Sequence, residues 1–309
     1  MRKFSSYGPV NKQTNYYVPR TKLIEKAKQQ LLGKVIEEGG HYITVWAPRQ
    51  TGKTWILQQV LWQLQKDERF EVIKLSLQHL GNVTDSKLVI QELILSIQEN
   101  LDRKLPECST WMGFQRIFGP KYFNKPLILI IDEFDSLDEN IINKIAMVFR
   151  NIYMLRKDEI DKPINQKTYL LHGIALIGVR SVLGIENKKG APFNVQRSLH
   201  IPNLTYQEVN SLFRSYQEES GQKVEQEVID CLYDELRGQP GLTCWFGELL
   251  TETFNSDTSL PIDMAKYDDV YVEATDILPN NNILNIISKA KQEPYKELVL
   301  DLFRTDDKY

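Results

Sequence analysis

The eight residues from Ala47 to Thr54 constrain the fold more than any other stretch of this 309-residue chain. They read APRQTGKT, which matches the GxxxxGKS/T pattern of phosphate-binding loops except that Ala47 replaces the first glycine. The departure is small, because the turn out of the strand needs only a small residue there. An alternating β-branched run over 41–46 and a helical pattern over 52–65 flank the loop. The sequence therefore predicts a strand–loop–helix unit that binds phosphate.

The chemistry expected of this loop depends on its backbone and on three of its residues. Backbone N–H groups at the start of a helix converge on phosphate oxygens, and Gly52 allows the backbone to come close to them. We expect Lys53 to reach the terminal phosphates and the Thr54 hydroxyl to ligate Mg²⁺. The residues expected to contact the nucleotide are Ala47, Pro48, Arg49, Gln50, Thr51, Gly52, Lys53 and Thr54.

A second motif follows about 80 residues later, where the apolar run Leu127–Ile131 ends in the acid pair Asp132 and Glu133. An apolar strand followed by two acids is the Walker B pattern. Asp132 is expected to hold Mg²⁺, through water or through Thr54, and Glu133 to act as the general base on the attacking water. Asp135 is interpreted as a surface helix cap rather than a third ligand.

Further strands and helices alternate along the chain and predict an α/β fold with a parallel sheet. The run 126–131 is apolar at every position, which is typical of a strand buried on both faces. A later strand over Ile174–Val179 is preceded by a break at His172–Gly173 and followed by Arg180. If this strand lies between the two motif strands, Arg180 faces the terminal phosphate and stabilises its charge.

The chain changes character after Pro202, and we expect three regions. These are a nucleotide-binding domain over 1–202, a small helical domain over 203–256 and a C-terminal extension over 257–309. A capping box opens the helical part, with Thr205 three residues before Glu208.

Composition limits the classes of function. A net charge of −3 argues against a broadly basic nucleic-acid surface, and acids are interleaved with the C-terminal lysines. The three cysteines have no metal or disulfide spacing, so we expect reduced thiols in a cytoplasmic protein. No signal peptide and no membrane span are predicted.

Taken together, several segments resemble the AAA-like domain ATPases of bacteria and archaea, which are close to the STAND class of P-loop NTPases. The segments that carry the resemblance are Tyr17–Arg20, Ala47–Thr54, Leu127–Glu133, Arg180 and Gly238–Pro240. It implies a P-loop NTPase of the ASCE type, with a five-stranded parallel sheet, a helical lid over 203–256 and a winged helix, here truncated, over 257–309. It also implies that the base is adenine and that Pro240 packs on it. The residues expected near the adenine are Tyr17, Val18, Pro19 and Arg20.

The leading functional hypothesis is an ATPase switch that binds ATP or ADP with Mg²⁺ and couples the nucleotide state to assembly or to signalling, with a defence role suggested by the resemblance. Its partner would be a second copy of the chain or another protein. One alternative is a DNA-acting ATPase of the origin-recognition type. The other is a scaffold that holds ADP without hydrolysing ATP.

Overall fold

The computed structural model describes residues 1–8, 10–81, 83–178, 197–278, 280–293 and 295–304. The chain forms two compact units. One is Pro19–Pro202, and the other combines Met1–Val18 with Asn203–Tyr309. The first 18 residues, which the sequence places with the nucleotide-binding domain, thus group with the C-terminal region.

A five-stranded parallel sheet forms the centre of the unit Pro19–Pro202. Its strands are β1 (Tyr42–Trp46), β2 (Glu71–Ser76), β3 (Leu127–Asp132), β4 (Leu171–Gly178) and β5 (Arg197–His200). They are arranged in the order β2–β3–β4–β1–β5, and all neighbouring pairs are parallel. The predicted α/β class with a five-stranded parallel sheet is confirmed. The strand expected between the two motif strands is β4, which pairs with both β1 and β3.

Helices cover both faces of this sheet. They are α1 (Thr21–Leu32), α2 (Lys53–Leu64), α3 (Ser86–Leu101), α4 (Trp111–Arg116) and α5 (Glu139–Asp158). Leu129 and Ile131 of β3 pack in the core with α3, α4 and α5, whereas Ile128 and Ile130 pack in the core with α1 and α2. Both faces of β3 are thus buried, as its continuous apolar sequence predicts.

Strand β4 runs without interruption over Leu171–Gly178, but its register against β3 shifts at His172, where a break is expected from the sequence. His172 is buried, and its Nε2 lies 2.9 Å from the Leu32 carbonyl oxygen at the end of α1. At Gly173 a Cβ atom would lie 2.6 Å from the Leu31 carbonyl oxygen. The two residues that look like a strand break are therefore the positions where α1 packs closely on the sheet.

The second unit is helical. Its helices are α6 (Tyr206–Ser220), α7 (Gln226–Leu236), α8 (Pro240–Glu248), α9 (Met264–Val272), α10 (Asn281–Ala290) and α11 (Tyr295–Arg304). The predicted capping box is present, with reciprocal hydrogen bonds between Thr205 and Glu208. The winged helix over 257–309 stays a prediction. None of the helices described in either unit is long and apolar enough to cross a membrane.

The first 18 residues supply aromatic side chains to the core of this helical unit. Phe4 and Tyr16 are each 3% exposed, and their rings pack against Phe213 and Tyr216 of α6. The Lys3 and Tyr16 backbones are hydrogen-bonded, with the Tyr16 N–H donating to the Lys3 carbonyl (2.9 Å). The N-terminal segment is therefore part of the folded core of the second unit.

Candidate nucleotide-binding site

The loop after β1 is shaped by its backbone. Ala47 is fully buried in the core formed by the sheet with α1 and α2. A small side chain fits this buried position at the end of β1. Gln50 and Gly52 have φ values of 57° and 83°, in the left-handed region, where glycine alone has no steric penalty. The Thr51 hydroxyl donates to the Pro48 carbonyl (2.9 Å) and closes the turn.

Lys53 opens α2 and folds back over the loop. Its Nζ donates to the carbonyl oxygens of Ala47 (2.8 Å) and Pro48 (2.7 Å). Burial lowers the pKa of this ammonium to about 8, although the carboxylates of Asp135 and Asp132 act in the opposite direction. A cationic group is thus held among carbonyl groups at the first turn of a helix, where backbone N–H groups also attract anions.

The acid pair lies at the end of β3. Asp132 is 5% exposed, and its Oδ1 accepts the Glu133 backbone N–H (3.0 Å). Glu133 has a left-handed backbone, with φ of 55°, and buried Phe134 fixes the turn that follows it. Burial, with the neighbouring charges of Asp132 and Asp135, raises the pKa of Glu133. A raised pKa makes its carboxylate a stronger proton acceptor.

These side chains line a single cavity of about 340 Å³. Its walls are Arg49, Gln50, Lys53, Thr54, Gln78, Asp132, Glu133, Asp135, Ser136, Ile177 and Gly178. They come from the carboxyl ends of β1, β2, β3 and β4, which is where parallel α/β sheets bind ligands. The fold therefore brings the predicted phosphate-contacting residues Lys53 and Thr54 to the same cavity as the predicted acids Asp132 and Glu133.

The chemistry of the donors fits a magnesium ion. Thr54 offers a hydroxyl oxygen and Asp132 a carboxylate oxygen, and both line the cavity. Magnesium prefers oxygen ligands, and at nucleotide sites it takes one or two from the protein, together with phosphate oxygens and water. Among the described residues there is no cluster of three or more His, Cys, Asp or Glu side chains that could hold a metal ion by itself. The residues thus suit a metal that arrives with phosphate.

Two charged residues at or beside this cavity are not identified by the local sequence: Asp135, and Lys74, which contacts Asp132. Asp135 lines the cavity, whereas α5 is capped by Asp138, whose side chain accepts the Asn140 backbone N–H (2.9 Å). The interpretation of Asp135 as a helix cap was therefore wrong. The second residue is Lys74 on β2, whose Nζ lies 3.1 Å from Asp132 Oδ2. The position of Lys74 depends on which strand is next to β3, and the local sequence does not give this.

The remaining predicted site residues lie outside the phosphate-binding loop and the acid pair. Arg180 lies outside the described residues. Tyr17, Val18 and Pro240 belong to the helical unit, and Pro19 lies two residues before the start of α1 at Thr21. Arg20 has a local contact, since its Nη2 donates to the Pro202 carbonyl (3.2 Å) at the other end of the same unit. The adenine contacts of these residues stay predictions.

The Gly238–Pro240 motif has a clear local role. Gly238 has a φ of 66°, and the Leu204 N–H donates to its carbonyl oxygen (2.8 Å). A side chain at Gly238 would collide with the Leu204 backbone. Gln239 caps α8 by accepting the Leu242 N–H (2.6 Å), and Pro240 occupies the first turn, where its missing N–H costs nothing.

The fold and the cavity are those of the P-loop ATPases. The chain belongs to the AAA-like domain family, whose family model matches residues 5–271. None of the curated proteins compared with the chain matches it.

Solved structures share this fold at low sequence identity. A Walker-type ATPase of Pyrococcus abyssi is 14% identical, with a TM-score of 0.57 over 95% of this chain and 80% of that chain. The ORC2 protein of Aeropyrum pernix, solved as ADPNP and ADP complexes, is 12% identical, with a TM-score of 0.55 over 90% and 77% of the two chains. Drosophila ORC bound to DNA is 14% identical, with a TM-score of 0.55 over 84% and 63%. At these identities the similarity shows the fold.

Proposed function

We propose that this protein is a magnesium-dependent ATPase that works as a nucleotide switch of the STAND or AAA-like kind. The observation that carries the proposal is the shared cavity. It joins a phosphate-contacting lysine, a hydroxyl and a carboxylate suited to magnesium, and a carboxylate suited to act as a base, namely Lys53, Thr54, Asp132 and Glu133.

Each of these groups has a defined part in hydrolysis. The Lys53 ammonium and the backbone N–H groups around it bind the β- and γ-phosphates and stabilise their negative charge. Thr54 and Asp132 would hold the magnesium ion, which neutralises charge on the phosphates when it is bound. Glu133 accepts a proton from the water that attacks the γ-phosphorus.

The switch part of the proposal extends this chemistry to the rest of the chain. Arg180 follows β4, the strand between the two motif strands, and would respond to the γ-phosphate from there. Tyr17, Val18, Pro19, Arg20 and Pro240 would recognise adenine. Loss of the γ-phosphate would then release the arrangement that ATP holds, as in other nucleotide switches. Assembly with a second copy of the chain is the proposed output.

The experiment compares the wild-type protein with Glu133→Gln in ATP turnover, and determines the mass of each by light scattering in ATP and in ADP. The variant keeps the shape of the side chain but cannot accept the proton. We expect turnover to fall about a hundredfold or more, in line with the usual contribution of a general base. The variant should still assemble in ATP, because binding is intact.

Two results would contradict parts of the proposal. Equal turnover in both proteins would remove Glu133 from its role as the base. Absence of turnover in the wild type, with ADP recovered from the purified protein, would favour the scaffold that holds ADP without hydrolysing ATP.

A DNA-acting ATPase is the second candidate. Two of the structures with this fold, the Aeropyrum pernix ORC1 protein and Drosophila ORC, were solved with DNA. In this chain, however, α11 carries Glu297 and Asp301 beside Arg304, with which both form ion pairs, so its charge is balanced. A DNA mobility shift that weakens as salt rises would support this candidate, and the absence of any shift at low salt would exclude it.

A further inference from the structure

Lys74 is a charged residue on a strand that is otherwise largely buried. Strand β2 alternates, so that Ile73 and Leu75 pack in the core with α3, α4 and α5, and Val72 packs on the opposite face. Lys74 is two residues from Val72 in the strand and therefore lies on the same face of the sheet, which α1 and α2 cover. Its side chain is 17% exposed. Holding an ammonium group in such surroundings is costly unless it has a partner.

The partner is the carboxylate of Asp132. The register of β2 and β3 places Lys74 opposite Ile130, two residues before Asp132 and therefore on the same face of the sheet. Lys74 Nζ lies 3.1 Å from Asp132 Oδ2, and the other oxygen, Oδ1, accepts the Glu133 N–H. Each oxygen of the predicted magnesium ligand is thus already in contact with a donor from the chain.

A cation that neutralises a metal ligand opposes the metal. The negative charge of Asp132 attracts Mg²⁺, and the Lys74 ammonium cancels part of that charge and also repels a second cation nearby. The phosphates of a bound nucleotide supply negative charge that Lys74 does not neutralise. Magnesium bound without nucleotide is therefore disfavoured more strongly than magnesium bound with it.

We propose that Lys74 is a positioning residue for Asp132 and that it raises the Mg²⁺ concentration needed to fill the site. The metal is then held only together with a nucleotide. This inference rests on the proposed function, because it assumes that ATP and magnesium bind in this cavity. Lys74 is then the counter-ion of the Asp132 carboxylate until the metal and the phosphates bind together.

The test measures how the binding of a fluorescent ATP analogue depends on the concentration of Mg²⁺. In Lys74→Met the Mg²⁺ concentration at half-saturation should fall about tenfold, because one opposing charge close to the metal ligand is removed. Lys74→Gln, which keeps a donor for Asp132 without the charge, should shift in the same direction. Lys74→Arg keeps the charge and should stay close to the wild type.

A second measurement does not depend on nucleotide fluorescence or turnover. Removing Lys74 leaves Asp132 as a buried carboxylate without its counter-ion, so Lys74→Met and Lys74→Gln should melt at a lower temperature than the wild type. Added Mg²⁺ with ATP should raise their melting temperatures by more than it raises that of the wild type. If Lys74→Met does not fold, the same measurements are made on Lys74→Gln, which retains a hydrogen-bond donor for Asp132.

The matched control is Arg103→Met. Arg103 forms a comparable ion pair with Glu71 at the other end of β2, at 2.6 Å and with side chains 26% and 16% exposed. This variant should lose stability without changing the magnesium midpoint. An unchanged or raised midpoint in both uncharged Lys74 variants would overturn the inference, even if the wild type binds ATP with magnesium. Failure of the wild type to bind the analogue at any Mg²⁺ concentration would instead overturn the proposed function.

Discussion

Lys53 shows how a single residue couples the site to pH. Burial holds its pKa at about 8, below the ordinary value of 10.5. Between these two values the unfolded chain keeps a proton that the folded chain has released. The contribution of this group to the free energy of unfolding therefore rises with pH over that range. The positive charge of Lys53, which we propose contacts phosphate, is by contrast lost over the same range.

ATP affinity should consequently decrease as pH rises through about 8. The limiting slope is about tenfold per pH unit, because one proton must be bound with the nucleotide. Lys53→Arg retains its charge throughout this range, since a guanidinium does not deprotonate in proteins. Dissociation constants measured at pH 7, 8 and 9 should diverge between the two proteins, and parallel profiles would show that Lys53 is not the titrating contact.

Part of the candidate site could be predicted from local sequence and part could not. Lys53, Thr54, Asp132 and Glu133 belong to two short motifs, each with its own strand, and the structure brings them to one cavity. Asp135 lines the same cavity from the turn after β3, whereas Lys74 contacts Asp132 because β2 lies beside β3. A lysine in an alternating strand looks like a solvated position, and only the adjacency of β2 and β3 shows that it faces a carboxylate.

At the scale of elements, strand β4 carries a buried titratable group. His172 is fully buried, and burial lowers its pKa to about 3. Its Nε2 contacts the Leu32 carbonyl, and its Nδ1 has no hydrogen-bond partner among the described residues. The folded chain therefore keeps this imidazole neutral at pH values where the unfolded chain protonates it.

The stability of the sheet unit should therefore decrease as pH falls from about 6.5 towards 3. The unfolded chain gains a proton that the folded chain does not, which lowers the free energy of unfolding by at most about 1.4 kcal/mol per pH unit. His172→Gln should show a shallower slope in urea unfolding across this range. A slope in His172→Gln identical to that of the wild type would contradict this expectation.

Element boundaries show where sequence patterns succeed and fail. The pattern over Ser86–Leu101 predicts α3 as observed, because an aspartate cap and a regular apolar face define it locally. The apolar spacing over 22–36 is helical, but α1 ends at Leu32, because Gly33 adopts a φ of 75°. Strand β5, only four residues long with three of them exposed, has too little apolar pattern to be detected without its partner β1.

For the whole molecule, the chain order and the units do not coincide. The chain passes between the units near residues 18 and 202, so the helical unit contains both an N-terminal segment and a C-terminal region. This association could not be predicted from the sequence, because the aromatic residues Phe4 and Tyr16 lie in a polar, turn-rich stretch. Their partners on α6 are about 200 residues away in the chain.

The N-terminal segment should accordingly stabilise the helical unit. Phe4→Ala removes a ring that packs against Tyr16, Phe213 and Tyr216, and we expect a loss of about 3–5 kcal/mol in the unfolding of that unit. Tyr7→Ala, at a position that is 51% exposed, is the control and should change little. Denaturant unfolding followed by near-ultraviolet circular dichroism measures both, and equal stability of the two variants would show that the segment is dispensable.

Calorimetric titration of ATP with Mg²⁺ determines whether ATP binds at the loop between β1 and α2. The wild type should bind one ATP per chain. Lys53→Ala should bind at least about tenfold more weakly, because a charge-assisted contact to phosphate is lost. Lys66→Ala, exposed beyond the end of α2, should bind as the wild type does. Equal affinity of Lys53→Ala and the wild type would contradict the account.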